Sequence, residues 1–174
     1  MKRITIIGTG NIGLSLAKGL VSSAYCTAQQ ITLTRRNVKA LDQEKEAGYM
    51  VSDNNQKAVE EADIIVLAIL PQQLRKVLEE IAPIVKNSKQ IIVSVVSGVT
   101  CSDIKAILGS NISVVRAMPN TAIAIGQSMT CIATDDAQSQ DVKEVETMFE
   151  TVGAVVVINE DLMTSATALC ACGI

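Results

Sequence analysis

The chain has 174 residues, of which 48% are hydrophobic and 19% charged, so it can bury a core and is too apolar to be disordered. A net charge of −3 and an aromatic content of 2% argue against a nucleic-acid surface and against a platform for base stacking. The length predicts one domain, or one domain and a fragment of a second. We therefore expect a globular protein that does not bind nucleic acid.

Histidine is absent, which excludes a histidine-based triad, a histidine-ligated zinc ion and a dehydrogenase with a histidine acid–base group. Five cysteines at irregular spacing predict neither a disulfide framework nor a metal site. The longest apolar run, 64–70, is too short to span a bilayer. Glycine interrupts the N-terminal apolar run, so no secretory signal is expected, and we predict a cytoplasmic protein without membrane or nucleic-acid partners.

Strand and helix patterns alternate along the chain. A β-branched strand precedes Gly8, and further strands are predicted at 30–34, 49–51, 63–69, 90–95, 113–116, 128–133 and 154–158. Helices are predicted at 11–24, 37–47 and 54–62, from Pro71 onward with a buried stripe that includes Ile81, after a capping box of Thr100 and Asp103, and at 138–150. Strands joined by helix-length crossovers predict an α/β fold, a doubly wound Rossmann-type, mostly parallel sheet.

The glycine motif between the first strand and the first helix is the strongest functional signal. Gly8 would allow a tight turn, Gly10 would let a pyrophosphate approach the backbone, and Gly13 would let the helix pack against the strand. With Thr9, Asn11 and Ile12, these residues form a loop at a helix N-terminus, which attracts anions. The alternative is an ordinary glycine turn.

The second predicted strand ends in Thr34, Arg35 and Arg36, and no carboxylate follows before Asp42. An acidic residue at this position would bind the ribose 2′-hydroxyl of NAD, whereas arginine accommodates the 2′-phosphate of NADP. The pattern predicts NADP as cofactor, with NADPH preferred over NADH. Two solvated arginines at a strand end are the alternative.

Further loops follow other strands and should meet at the same edge of the sheet. They contain Ala68, Ile69, Leu70 and Pro71, then Ser97 and Gly98, then Asn120 and Thr121. The loops at 68–71 and 97–100 could form the flat, mostly apolar slot that nicotinamide needs. No carboxylate or lysine stands out as a proton donor.

Several motifs resemble the pyrroline-5-carboxylate reductase family. They are Gly8-Thr-Gly-Asn-Ile-Gly13, Ala68-Ile-Leu-Pro-Gln72, Ser97-Gly-Val-Thr100, Val115-Arg-Ala-Met-Pro-Asn-Thr121 and Thr167-Ala-Leu169. The resemblance implies reduction of a small-molecule imine, Δ1-pyrroline-5-carboxylate, to proline by hydride transfer from NAD(P)H, a step of proline biosynthesis. It also implies that Asn120 and Thr121 lie at the nicotinamide, that Asn55 lies near the adenosine ribose and phosphate, and that Thr167 is a candidate catalytic residue near the substrate.

The resemblance further implies two domains. Residues 1–159 would form the NADP-binding domain, and 160–174 would be the first helix of a second, all-helical domain that makes a homo-oligomer and holds most of the substrate. Met163, Ala166, Leu169 and Cys170 form an apolar stripe on that helix. The chain alone would then be poorly active.

Three departures from the family pattern fall near the expected substrate. Leu70 replaces lysine, Ala122 replaces proline, and 170–174 replace a Ser-Gly-Ser-Gly-Pro run. A related imine reductase, a β-hydroxyacid-type dehydrogenase and a non-catalytic NADPH-sensing module therefore stay open as alternatives.

Overall fold

The computed structural model describes residues 2–86, 89–135 and 139–168. The described residues form eight strands: β1 (Ile4–Ile7), β2 (Ile31–Thr34), β3 (Met50–Ser52), β4 (Ile64–Leu67), β5 (Ile91–Ser94), β6 (Ser113–Met118), β7 (Ser128–Thr134) and β8 (Gly153–Val157). They make one sheet in the order β3-β2-β1-β4-β5-β6-β7-β8. Strands are found in all eight segments where the sequence predicts them.

The first six strands run parallel, as helix-length crossovers require. β7 is antiparallel to β6, and β8 is parallel to β7. The β6–β7 connection carries only a 3-10 turn, Thr121–Ile125, closed by Gly126 at φ 68°. Such a short link can join antiparallel strands only. All other neighbouring strands of the sheet are parallel, so the predicted mostly parallel sheet is confirmed.

The helices of the described residues are α1 (Asn11–Ser22), α2 (Asp42–Glu46), α3 (Asn55–Glu60), α4 (Pro71–Ile81), α5 (Cys101–Leu108), α6 (Gln140–Glu150) and α7 (Met163–Ala166). The capping box of α5 is confirmed: the Asp103 N–H donates to Thr100 Oγ1 over 3.2 Å, and the Thr100 N–H donates to Asp103 Oδ2 over 2.9 Å. α1 ends two residues before the predicted boundary, and Ala24 has a φ of 59°. For α6, position 138 lies outside the described residues.

The single helix predicted over 37–47 is wrong. The segment is a 3-10 turn, Val38–Leu41, followed by the short α2. Leu41 is fully buried and leaves helical geometry at φ −116° and ψ 17°. The carboxylate of the buried Glu44 lies 3.4 Å from Lys18 Nζ on α1. These tertiary contacts override the weak helix propensity of the segment.

Apolar side chains fill both faces of the sheet. One layer packs α1 and α6 onto the sheet through Leu16, Leu20 and Phe149. The other packs α4 and α5 through Leu78 and Ile104. The central strands β1 and β4 are buried at every position, which is typical of a parallel sheet covered on both sides.

The chain after β8 returns to the sheet. A 3-10 turn, Glu160–Leu162, leads into α7, whose buried Met163 and Ala166 pack on Cys131 and Ala133 of β7. These two positions confirm the inner part of the predicted apolar stripe, whereas Leu169 and Cys170 lie outside the described residues. Within the described ranges, every helix is too short or too polar to cross a membrane.

Candidate cofactor groove

The loop between β1 and α1 must contain glycine at its two ends. Gly8 has a φ of 97°, and a Cβ there would collide with the carbonyl oxygen of Ala68. A Cβ on Gly13 would collide with the carbonyl oxygen of Gly8. Strand, loop and helix are therefore packed backbone to backbone, as predicted for these two positions.

Gly10 differs from the other two glycines. A Cβ on Gly10 would have no atom within 4 Å, and its φ of −80° is open to any residue. The protein itself therefore does not need glycine here, and the open space beside the backbone is where a ligand phosphate would fit. α1 begins at this point without an acidic residue in its first turn, so no carboxylate there offsets its partial positive charge.

Thr9 provides a second indication that this loop binds a ligand. Its side-chain oxygen is buried, and it is the one buried side-chain N or O atom among the described residues that has no hydrogen-bond partner. An unpaired buried hydroxyl costs about 1–3 kcal/mol, so native proteins keep few of them, and a bound ligand, ion or water is a common partner for such a group. The open space beside Gly10, which we call the phosphate cradle, the N-terminus of α1 and the unpaired Thr9 hydroxyl all fit a dinucleotide diphosphate.

The residues predicted to contact the adenosine side of the cofactor lie at the end of β2. Thr34 is buried, and its Oγ1 donates a 2.7 Å hydrogen bond to Oδ1 of Asn55. Arg35 and Arg36 follow on the surface, and neither guanidinium contacts a carboxylate of the described chain. Two unpaired cations thus stand beside a neutral Thr–Asn pair, an arrangement that suits a phosphate.

A cavity of about 310 Å³ lies beside the first turn of α1, where β5 and β6 end. We call the surface from the end of β2, past the glycine loop, to this cavity the cofactor groove. Its lining residues are Ile12, Val95, Ser97, Met118, Pro119, Asn120, Thr121 and Ala122. Asn120 is 91% buried, and its Oδ1 accepts a 3.0 Å hydrogen bond from the Ala122 N–H. The structure therefore brings Ile12, Ser97, Asn120 and Thr121 together, as predicted from their places after strands.

The remaining predicted residues take other positions. Ala68 and Ile69 pack against the glycine loop, because a Cβ on Gly8 would collide with both residues. Leu70 is 64% exposed at the start of α4, and neither it nor Gly98 lines the cavity. Thr167 also lies outside the cavity lining, and its Oγ1 donates to the carbonyl of Met163 over 2.8 Å.

Sequence reasoning missed a close backbone contact between α1 and the turn that follows Asn120. A Cβ on Gly19 of α1 would lie 2.5 Å from the carbonyl oxygen of Ile123, in the 3-10 turn that follows Asn120. A glycine inside a helix costs roughly 0.5–1 kcal/mol relative to alanine, and this cost is the signal that could have revealed a close approach.

A buried charge cluster was also missed. Arg116 of β6 is 5% exposed, and its Nη1 donates to Glu160 Oε1 over 3.1 Å. The same oxygen accepts the Cys101 N–H at the start of α5 over 2.7 Å. Burial, followed by the negative charge of Glu160, raises the pKa of the Cys101 thiol to about 12. Through Glu160, the cluster joins the segment after β8 to β6 and to the start of α5.

A sheet ordered 3-2-1-4-5-6 through its parallel part, with a glycine loop at the switch between β1 and β4, defines a dinucleotide-binding domain of the Rossmann type. The comparison with known families agrees with this class. Residues 3–98, more than half of the chain, match the family described as "NADP oxidoreductase coenzyme F420-dependent", and the chain belongs to this family.

Individual relatives confirm the resemblance drawn from the motifs. The chain is 38% identical to pyrroline-5-carboxylate reductase 2 of Dictyostelium discoideum over 99% of its length and 62% of the relative. It is also 38% identical to pyrroline-5-carboxylate reductase 1 of the same organism, over 98% of the chain and 33% of the relative. A solved pyrroline-5-carboxylate reductase from Coxiella burnetii superposes with a TM-score of 0.90 at 31% identity, over 99% of this chain and 64% of that one. The chain therefore spans less than two-thirds of the length of these relatives.

Proposed function

We propose that this chain is the cofactor-binding part of an NAD(P)H-dependent reductase that converts Δ1-pyrroline-5-carboxylate to proline. The observation that carries the proposal is the continuity of the groove. Ile12, in the first turn of α1 beside the phosphate cradle, also lines the cavity that contains Asn120 and Thr121. A dinucleotide could therefore lie with its diphosphate on the glycine loop and its nicotinamide in the cavity.

The residues of the cavity would act by positioning. When bound, NADPH supplies the hydride that reduces the carbon of the C=N bond. A protonated imine is already electrophilic, and its nitrogen takes up the electron pair of that bond, so no strong general acid is required. Asn120 and the apolar wall of Val95 and Met118 would hold the reacting groups in line and exclude water.

We further propose a preference for NADPH over NADH. Arg35 and Arg36 are exposed at the end of β2, where the 2′-phosphate of NADP would lie. Charge-assisted hydrogen bonds to a phosphate are about twice as strong as neutral ones. NADH lacks this phosphate and would gain nothing from the two guanidinium groups.

The domain division and the assembly are also proposals. Residues 1–159 contain the whole described sheet, and the segment from Glu160 packs back on it through Met163 and Ala166, which lie against Cys131 and Ala133 of β7. We place the boundary near 159 because the last strand ends at Val157 and because the resemblance to the reductase family implies it. We infer that a following helical domain makes the homo-oligomer, because exposed apolar side chains on this side, Met129 and Leu162, would suit a packing partner.

Two measurements test the proposed function. Titration with NADPH, followed by its fluorescence, should saturate at one cofactor per chain, and absence of binding to both NADPH and NADH would refute the proposal. Loss of NADPH absorbance should then follow addition of Δ1-pyrroline-5-carboxylate to a protein that contains this domain and the helical domain of the relatives. Oxidation of a β-hydroxyacid with NADP, and no imine reduction, would favour the dehydrogenase alternative.

A further inference from the structure

Glu80 lies behind the adenosine end of the groove and is joined to it through Asn55. The Oε2 atom of Glu80, on α4, accepts a 3.2 Å hydrogen bond from Nδ2 of Asn55, the first residue of α3. Asn55 in turn accepts the hydroxyl hydrogen of Thr34 at the end of β2. A hydrogen-bonded chain therefore runs from α4 through α3 to the end of β2, next to Arg35.

The donor–acceptor direction of this series of hydrogen bonds follows from the chemistry of its three side chains. A carboxylate offers only acceptor atoms, so Asn55 must turn its NH₂ group, not its carbonyl oxygen, toward Glu80. The carbonyl oxygen then faces Thr34, whose hydroxyl must donate its single hydrogen. Glu80 thus decides the orientation of the Asn55 amide, which would otherwise have two nearly equivalent settings.

The backbone of Glu80 strengthens this arrangement. Its carbonyl oxygen accepts a 2.8 Å hydrogen bond from Nε2 of Gln56, the residue after Asn55. Two consecutive residues of α3 are therefore held by one residue of α4. The start of α3 cannot shift relative to α4 without loss of both bonds.

We propose that Glu80 is a positioning residue of the cofactor groove, which acts through Asn55 on the adenosine ribose and its phosphate. The inference rests on the proposed function. With the amide fixed, Asn55 keeps one N–H and one acceptor site for a ligand, whereas Thr34 has no hydrogen left to give. A phosphate on the ribose would be met by the Asn55 N–H and the two guanidinium groups rather than by the Thr34 hydroxyl.

The test uses 2′,5′-ADP, which represents the adenosine half of NADP, and isothermal calorimetry. Glu80→Met removes the acceptor and should weaken binding of 2′,5′-ADP roughly 3- to 10-fold, the range of one hydrogen bond. Glu80→Gln restores an acceptor oxygen for Asn55 and should bind within about 2-fold of wild type, less than one hydrogen bond. Glu79→Met is the matched control, because Glu79 is exposed and its carboxylate pairs only with Arg75 on the same helix among the described residues.

A double-mutant cycle separates positioning from general packing. In an Asn55→Ala background, Glu80→Met should have no further effect on 2′,5′-ADP affinity, because the residue through which Glu80 acts is gone. An equal loss in both backgrounds, or no loss in the Glu80→Met single variant, would overturn the inference and leave the proposed function intact. A wild-type chain that binds neither 2′,5′-ADP nor NADPH would instead refute the proposed function itself.

Discussion

The carboxylate of Glu160 lies 3.1 Å from the guanidinium of Arg116, across 44 residues of sequence, and neutralises a cation that is almost fully buried. The same carboxylate oxygen receives the first free N–H of α5. One side chain therefore satisfies a strand residue and a helix terminus, and it does so at the point where the chain turns from β8 into α7.

We expect Glu160→Ala to lower the free energy of unfolding by about 2–4 kcal/mol, because it leaves the buried Arg116 charge without its partner. Glu160→Gln should cost less, since its amide oxygen can still accept the Cys101 N–H. Chemical denaturation measures both, with the exposed neighbour Asp161→Ala as the control. Equal stabilities of Glu160→Ala and Asp161→Ala would show that the cluster contributes nothing.

Two glycines of the same loop should respond in opposite ways. Gly10→Val should abolish NADPH binding, because its side chain would fill the phosphate cradle, yet stability should change by about 1 kcal/mol or less. Gly13→Ala should destabilise the fold by about 1–3 kcal/mol, because its Cβ meets the Gly8 carbonyl. Thermal unfolding and fluorescence titration of the two variants provide the comparison. Normal cofactor affinity in Gly10→Val would mean that the loop is a turn only.

Replacement of both Arg35 and Arg36 by alanine should weaken NADPH binding by about 10-fold or more and leave NADH binding nearly unchanged. The difference should shrink as salt is added, because both guanidinium groups are exposed. Lys39→Ala removes another exposed cation from the same segment and serves as the control. Equal losses for NADPH and NADH would contradict contact with the 2′-phosphate.

The buried thiol of Cys101 should make the fold sensitive to alkali. Its pKa is raised from 9.0 to about 12, so above pH 9 the unfolded chain loses this proton while the folded chain keeps it. The free energy of unfolding should therefore fall from pH 9 toward 12, by at most about 1.4 kcal/mol per pH unit from this group.

Urea denaturation between pH 8 and 10 separates the thiols from Tyr25 and Tyr49, because the pKa values of these tyrosines are raised from 10.0 and they contribute only at higher pH. Cys101→Ala should flatten the loss of stability over this interval. Cys26→Ala should flatten it less, because the Cys26 thiol is only half-buried and its pKa is raised by that partial burial. A slope that is the same in wild type and Cys101→Ala would be inconsistent with this account.

The features that the sequence predicted well are those encoded by neighbouring residues. The glycine loop, the capping box of Thr100 and the buried strands depend on patterns within about ten residues, and each is present in the structure. The convergence of Ser97 and Asn120 was also foreseeable, because parallel strands end at one edge of a sheet.

The missed features depend on partners far apart in the sequence. Nothing near Arg116 indicates a carboxylate at position 160, and nothing near Leu41 shows that its burial breaks a helix. Likewise, Glu80 and Asn55 are separated by 25 residues and meet only because α3 packs on α4. The local propensity of a segment carries no information about such distant pairs, so they become visible only in the folded structure.

The close approach of Gly19 to Ile123 packs α1 directly against the turn after Asn120. Ile12 at the start of α1 and Asn120 before that turn line the same cavity, so the contact helps to fix the glycine loop relative to the cavity. In the proposed binding mode, a dinucleotide would therefore meet a glycine loop and a cavity that already have a fixed relative position. If a cofactor binds in this way, little of its binding energy would be lost to ordering of the protein.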